Sequence, residues 1–424
     1  MNKNSTSVKV ASNTIYQIIG KGISMSITML AVVIITRIYG REGYGAFSLM
    51  QSWPALFFMI VDFGVNAIAA RELSKDFSKA EKYIGNILLM RIVFSLFIIL
   101  LLNVALIFFP YSQGLNVGIR LGLFLLLTQA LFSTSNIIFQ VKLKYDYSVI
   151  SYSLGYLVIL ALILILSYLK VDVLWVNFGY VIGGAVTFLM TFKFLRRMGI
   201  SPKLSFDGDI WKYLFSSALP LGIMFILSQI SFKEDAIMLS ALRLPESYGL
   251  NNTESVAVYA LPYKVFEVLL VLPTFFMNSV YPILVRHMEE GKEKLKRTFF
   301  NSLYFLVGSG VLVGLVGSVL APFVINVLGG SEFSQSIPVM RLLVLPIVFF
   351  YLTSPISWLV VTLGYQKFLP WVYLAGATFN MVANFIFIPQ YSFYAASIIT
   401  VISELIILVL LIFTARKSWK LKYA

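Results

Sequence analysis

Long apolar runs, each of about twenty residues and bounded by charges or turn formers, recur along the whole chain, which is the pattern of helices that cross a bilayer. After a polar start carrying Lys3 and Lys9, the first run covers 15–38. That exceeds the ~7–15-residue core of a cleaved signal peptide, so it is expected to stay as a membrane helix. Runs at 44–70, 83–109, 118–140, 148–169 and 175–195 complete a first half. A charged connection follows, and then 213–242, 256–284, 298–328, 338–362, 369–388 and 394–415. The expected fold is an all-α polytopic membrane protein with twelve transmembrane helices, divided into an N-lobe at 1–199 and a C-lobe at 200–424.

The two halves repeat at a fixed offset. Tyr44 aligns with Tyr259, Arg71 with Arg286, Lys79 with Lys294 and Lys82 with Arg297. Six helices separate the copies, so both have the same orientation, and the lobes are expected to form a parallel repeat with its pseudo-twofold along the membrane normal.

Composition sharpens the class. Hydrophobic residues make up 59% and charged residues only 12%, where soluble domains carry about 25% charged, so a soluble enzyme is excluded. There is no cysteine and one histidine, His287, which removes thiol chemistry and a zinc centre. No phosphate-binding glycine loop of the GxxxxGK[ST] kind is present, so ATP is not expected to act directly.

The net charge of +14 would suggest nucleic acid in a soluble chain, but here it reads as topology. With the N-terminus inside, the inner connections hold 23 of the 33 Lys and Arg residues, and the outer ones hold only Arg41, Lys170 and Arg243. The positive-inside rule then puts both termini in the cytoplasm. No nucleic-acid partner is expected, while attraction to anionic membrane lipids is.

Polar residues fall on single helical faces. Tyr44, Ser48, Ser52, Asp62 and Asn66 form one stripe, and Tyr259, Tyr263, Glu267, Thr274, Asn278 and Tyr281 form its counterpart. Asn13, Gln17, Lys21, Ser24 and Thr28 form a third, and Ser228, Ser231 and Asp235 a fourth. Such stripes avoid lipid, so the first, second, seventh and eighth helices are expected to line a water-filled cavity between the lobes. Interhelical hydrogen bonding is the competing explanation for each Ser, Thr or Asn.

Seven cations lie within spans: Lys21, Arg37, Arg91, Arg120, Lys233, Lys264 and Arg341. They outnumber the embedded acids Asp62, Glu234, Asp235, Glu267 and Glu404. Arg37, Arg120 and Glu234 stand near span ends and are expected to reach the interface. Lys264 with Glu267 at i,i+3, and Lys233 with its neighbours Glu234 and Asp235, are candidate pairs. A cation-biased interior suits an anionic solute such as phosphate. The candidate cargo ligands are Lys21, Arg91, Lys233 and Lys264, with Trp53, Tyr259 and Tyr263 to stack on rings. Asp62, Asp235 and Glu267 are the candidate ion-coupling residues, for a proton or sodium gradient. No cofactor is expected.

The stretch "IITRIYGREGYGAFSLMQSW…VDFGVNAIAARELSKD" (34–76) resembles the polysaccharide transporters of the multidrug/oligosaccharidyl-lipid/polysaccharide flippase superfamily, the Wzx-type O-antigen flippases. "EDAIMLSAL…VAVYALPYKVFEVLLVLPTFFMNSVYPIL" (234–284) and "ANFIFIPQYSFYAASIITVISE" (383–404) are similar to its middle and late helices. The resemblance implies two six-helix lobes, alternating access and no enzymatic activity. It also implies transfer of a polyprenyl-pyrophosphate-linked oligosaccharide from the cytoplasmic to the outer leaflet of a prokaryotic plasma membrane. The expected partners are polysaccharide polymerase and glycosyltransferases, with the chain itself a monomer. Two other functions compete. A multidrug exporter of the same superfamily would favour an acid-rich cavity, and a glycosyltransferase or polymerase would need a large external loop, whereas the longest outer connection here runs only from about Arg243 to Ser255.

Overall fold

The computed structural model describes the backbone of residues 3–423 and the side chains of 15–219, 222–230 and 232–423. Lys3, Lys9, Asn13 and Ser231, which the charge count and the polar stripes use, lie outside the described side chains. Among the described residues every regular element is helical. In chain order these are α1 (Lys3–Asp62), α2 (Val65–Lys75), α3 (Ala80–Ala105), α4 (Gln113–Gly122), α5 (Phe124–Val141), α6 (Tyr145–Tyr168) and α7 (Val173–Arg197). Then come α8 (Gly208–Ala241), α9 (Asn252–Leu269), α10 (Val271–Glu290), α11 (Lys292–Gly329), α12 (Ser336–Val344), α13 (Val348–Thr362) and α14 (Leu369–Tyr423).

Nine helical stretches among the described residues are long and apolar enough to cross a membrane, or ten if the bent pair Gly208–Leu219 and Gly222–Ile230 is one span. The chain is a multi-pass membrane protein. Two stretches are far longer than one crossing needs, with 61 residues in Ile15–Lys75 and 58 in Gln366–Tyr423. About twenty residues at ~1.5 Å each cover a ~30 Å hydrocarbon core. Both stretches are broken internally. Gly40 (φ 65°, ψ −164°) interrupts α1, and Ser392 (φ 50°, ψ −134°) interrupts α14. Each break falls in a connection the sequence predicts between two spans. A single residue leaving helical geometry redirects the chain there, and at position 40 glycine takes the left-handed conformation without a Cβ penalty.

The helices gather into two compact units, Met1–Ile226 and Leu227–Ala424. The sequence draws its boundary at 199/200, whereas the contacts keep the following connection with the first unit. The connection is tied to α3: the backbone N–H of Ser201 donates to Glu81 at 2.7 Å, that of Asp207 to Asn86 Oδ1 at 2.7 Å, and Asn86 Nδ2 to Ser205 Oγ at 3.0 Å. Lys82 Nζ sits 2.7 Å from Asp207 Oδ2, and this ammonium holds the Asp207 carboxyl below its usual range. Gly85 permits the approach, since a Cβ there would stand 2.1 Å from the Lys203 carbonyl oxygen. The start of α8 then packs on the same unit, with Phe215 against Phe63 and Phe94.

In the second unit α9 opens with a reciprocal cap. Glu254 N–H donates to Asn251 Oδ1 at 2.8 Å, and Asn251 N–H donates to Glu254 Oε2 at 3.1 Å, which satisfies two otherwise unpaired donors. Asn252 Nδ2 covers two of the last carbonyls of α8, those of Leu239 and Ser240, and that of Leu242 just beyond its end. The joint between α9 and α10 is held by Tyr351, whose hydroxyl donates to the Leu269 carbonyl at 2.7 Å.

Candidate functional site

Each unit holds embedded charges, in different arrangements. In the first unit, Asp62 ends α1 and Asn66 stands in the first turn of α2, separated by Phe63 (φ 47°) and Gly64 (φ 70°) in left-handed backbone. The bend turns both side chains toward α3, where Arg91 is fully buried. Arg91 Nη2 donates to Asp62 Oδ1 at 2.5 Å and to Asn66 Oδ1 at 3.0 Å. Its Nη1 donates to Thr134 Oγ1 at 2.8 Å and to the Ala130 carbonyl at 3.0 Å. Ser133 closes the cluster, donating to Asp62 at 3.1 Å and accepting from Asn66 Nδ2 at 2.6 Å. Arg91 Nε is buried without a hydrogen-bond partner among the described residues, but both terminal nitrogens are matched and the charge meets a carboxylate, the condition under which a charge removed from water is tolerated.

In the second unit Lys233 of α8 and Lys264 of α9 both bind Glu267, through Oε1 and, at 2.7 Å, Oε2 respectively. The i,i+3 pair of Lys264 and Glu267 is the one the sequence predicts. Lys233 does not turn to Glu234 or Asp235, because side chains one and two residues apart on a helix point in different directions. It crosses to α9 instead. Two ammonium groups thus meet on one carboxylate, and the three side chains remain partly exposed, at 21% for Lys233, 37% for Lys264 and 27% for Glu267.

Asp235 is buried beside this triad in sequence but meets different partners. It accepts from the Tyr259 hydroxyl, from Asn384 Nδ2 at 2.5 Å and from Thr400 Oγ1 at 3.0 Å. Among the described residues no Lys or Arg forms an ion pair with it. Asn384 Nδ2 also donates to Asn380 Oδ1 at 3.0 Å, and Asn380 Nδ2 to Ser403 Oγ at 3.0 Å. Asn384 Oδ1 is buried and has no hydrogen-bond partner among the described residues. A cavity of about 20 Å³, bordered by Ser228, Thr400, Ser403 and Glu404, adjoins this network and has room for about one water. Thr353 donates to Glu404 at 2.5 Å.

The structure thus gathers most sequence candidates, but several are closed off. Arg91 is enclosed by protein acceptors rather than open to a phosphate. Trp53, at 3% exposure, lies edge-on to Phe109 and donates Nε1–H to Tyr111 Oη at 3.3 Å. Tyr259 is buried on Asp235, and the buried Tyr263 donates to the Phe232 carbonyl at 2.8 Å, with Lys233 Nζ 5.7 Å from its ring. These three rings are covered by protein, so stacking on a sugar requires uncovering them. Glu234, expected at the interface, is buried with Oε1 unpartnered among the described residues. Lys21 is exposed on α1 and belongs to neither cluster.

Ser133, Thr134, Asn380, Asn384 and Thr400 are the participants the sequence candidates omit. A signal was available for some of them: Asn380 with Asn384, and Thr400 with Glu404, stand at i,i+4 on α14, the one-face spacing that marks the other polar stripes.

Residues 10–288 match the family described as polysaccharide biosynthesis protein. No curated protein sequence matches. Solved structures of similar fold include an inward-facing multidrug resistance MATE family transporter of the MOP superfamily, 14% identical with a TM-score of 0.73 over 94% of this chain and 95% of that one. Another is the lipid II flippase MurJ in an inward closed conformation, 17% identical with a TM-score of 0.72 over 95% of this chain and 87% of that one. A MOP superfamily transporter from Pyrococcus furiosus, described by the reverse polarity of its binding pocket, is 14% identical with a TM-score of 0.65 over 98% of this chain and 96% of that one. All three are transporters or flippases, and at these identities the likeness establishes the fold.

Proposed function

The chain belongs to the polysaccharide biosynthesis protein family and has the fold of MOP-superfamily transporters, and we propose that it flips a polyprenyl-pyrophosphate-linked oligosaccharide from the cytoplasmic to the outer leaflet by alternating access. The membrane is a prokaryotic plasma membrane and the process is cell-surface polysaccharide synthesis of the O-antigen kind. Cargo arrives from glycosyltransferases and is consumed by a polysaccharide polymerase, and the flippase itself acts as a monomer among membrane lipids. In this reading α1 and α14 each supply two spans, giving twelve in two lobes, 1–199 and 200–424, related by a parallel repeat with both termini cytoplasmic.

The observation that carries the proposal is the triad of Lys233, Glu267 and Lys264. Two partly exposed ammonium groups meet at one carboxylate, a cation-rich cluster of the kind that meets pyrophosphate oxygens. Lys21 supplies a further exposed ammonium on α1. Coupling to a proton or sodium gradient runs through Asp235. Asp62 and Glu267 already meet cations within the protein, whereas Asp235 meets neutral donors.

A cell-based flipping assay tests this. Lys21→Ala combined with Lys264→Ala is expected to lower flipping about tenfold or more, the loss expected from removing a hydrogen bond to a charged group. Wild-type activity in that variant contradicts the proposal. The likeness to a multidrug transporter favours a second reading, export of organic cations. Drug resistance conferred on a sensitive host, without any flipping, decides for it.

A further inference from the structure

Within the first unit lies a cavity of about 350 Å³, formed where α5, α6 and α7 meet the end of α1. Its volume falls in the ~300–1,000 Å³ range of small-molecule sites. Its chemistry differs from that of the charged clusters. Tyr152, Tyr156 and Tyr180 present half-buried rings to it, and Thr128, Gln129 and Ser133 supply hydroxyl and amide groups. No Lys, Arg, Asp or Glu lines it among the described residues. Ser133 both borders the cavity and donates to Asp62 at 3.1 Å. That carboxylate is already met by Arg91.

We infer that this cavity is a binding subsite for an uncharged pyranose ring. Three classes of occupant fit less well. An organic cation calls for a free carboxylate, a phosphate or uronic acid calls for a free cation, and an acyl chain calls for a wall without hydroxyls and amides. A neutral sugar has an apolar face for the tyrosine rings and hydroxyls for Thr128, Gln129 and Ser133. The subsite deepens the flippase proposal by giving the first unit a place that selects an uncharged sugar of the cargo. Only the transport arm of the test rests on that proposal.

The binding arm uses the purified full chain and maltotriose as probe, followed by saturation-transfer NMR, with glucuronic acid as the charged comparison. Maltotriose is expected to bind wild type and Tyr156→Phe, to lose at least about tenfold in affinity in Tyr156→Ala, where one ring contact is removed, and glucuronic acid is expected not to bind. No binding of maltotriose, or binding unmoved by Tyr156→Ala in a folded protein, overturns the inference. The transport arm uses proteoliposomes with two cargoes on the same polyprenyl pyrophosphate, one neutral trisaccharide and one with uronic acids. Wild type is expected to favour the neutral cargo, and Gln129→Lys is expected to shift the ratio of the two rates about tenfold toward the acidic one, a change that misfolding alone does not produce. A ratio unmoved by Gln129→Lys contradicts the subsite. Maltotriose binding with no transport of either cargo overturns the flippase proposal and leaves the subsite standing.

Discussion

The embedded charges of the two units differ in stoichiometry and in access. In the first unit one guanidinium meets one carboxylate, the remaining N–H groups of Nη1 and Nη2 find Asn66, Thr134 and the Ala130 carbonyl, and Arg91 is fully buried. In the second unit two ammonium groups share Glu267, and all three side chains keep some exposure. The first arrangement is closed and neutral, and serves to hold the bend between α1 and α2 against α3. The second is open and brings two cations to one acid. The number of cations in a membrane segment therefore says little about how many a solute can reach. What matters is how many acids each one meets and whether water reaches the cluster.

The largest effect expected from this contrast is on Arg91. Replacing it with alanine leaves Asp62 uncompensated in a buried site, a change that costs about 3–5 kcal/mol, and is expected to lower the thermal unfolding midpoint sharply. Converting both Arg91 and Asp62 to leucine removes the charge problem at its source and should recover much of that loss. A double variant as unstable as the single one would break the contrast, because the pair would then not be the cause.

Next in size is Asp235→Asn. Its Oδ1 still accepts from a hydroxyl, but its new amide group faces the donor on Asn384, at about 1–3 kcal/mol. Flipping in proteoliposomes should then stop responding to an imposed proton or sodium gradient. A retained response would move coupling elsewhere. Lys233→Ala should disturb stability less, by about 1 kcal/mol or below, because Glu267 keeps Lys264, while flipping falls. A stability loss as large as that of Arg91→Ala would show the triad to be as closed as the first cluster.

The smallest effect lies outside the membrane. Lys82 depresses the folded pKa of Asp207, so the ion pair contributes above the unfolded carboxylate value of about 3.9 and is lost as pH falls through the lower folded value. Lys82→Ala should flatten the acid limb of a Trp211 fluorescence titration, since Trp211 stands near this connection at the start of α8. An unchanged limb would dissociate the tie from Asp207.

Much of the fold was legible in the sequence because apolar runs are a one-dimensional signal. The breaks at Gly40 and Ser392 fall between predicted spans, and Lys264 with Glu267 follows from helical spacing alone. The rest depends on how helices meet. Arg91 and Asp62 are 29 residues apart, Lys233 and Glu267 are 34, and Asn384 and Asp235 are 149, so no periodicity along one helix pairs them. The tie between α3 and the connection after α7, through Glu81, Asn86 and the close approach at Gly85, is hidden for the same reason. Trp53, Tyr259 and Tyr263 have the composition of sugar-stacking residues, yet each is committed to a protein partner. The neutral cavity uses tyrosines of α6 and α7 that stand outside any predicted stripe.

The central claim is that the neighbouring ammonium groups of Lys233 and Lys264 handle a pyrophosphate-linked cargo. The direct measurement is flipping by the purified chain in proteoliposomes of a polyprenyl-pyrophosphate-linked oligosaccharide, compared between wild type and a variant carrying both Lys233→Ala and Lys264→Ala. The account predicts transport by wild type and its loss, by about tenfold or more, in the double variant and in a triple variant that adds Glu267→Gln, which leaves no carboxylate stripped of its cations. Equal transport by wild type and either variant would contradict it.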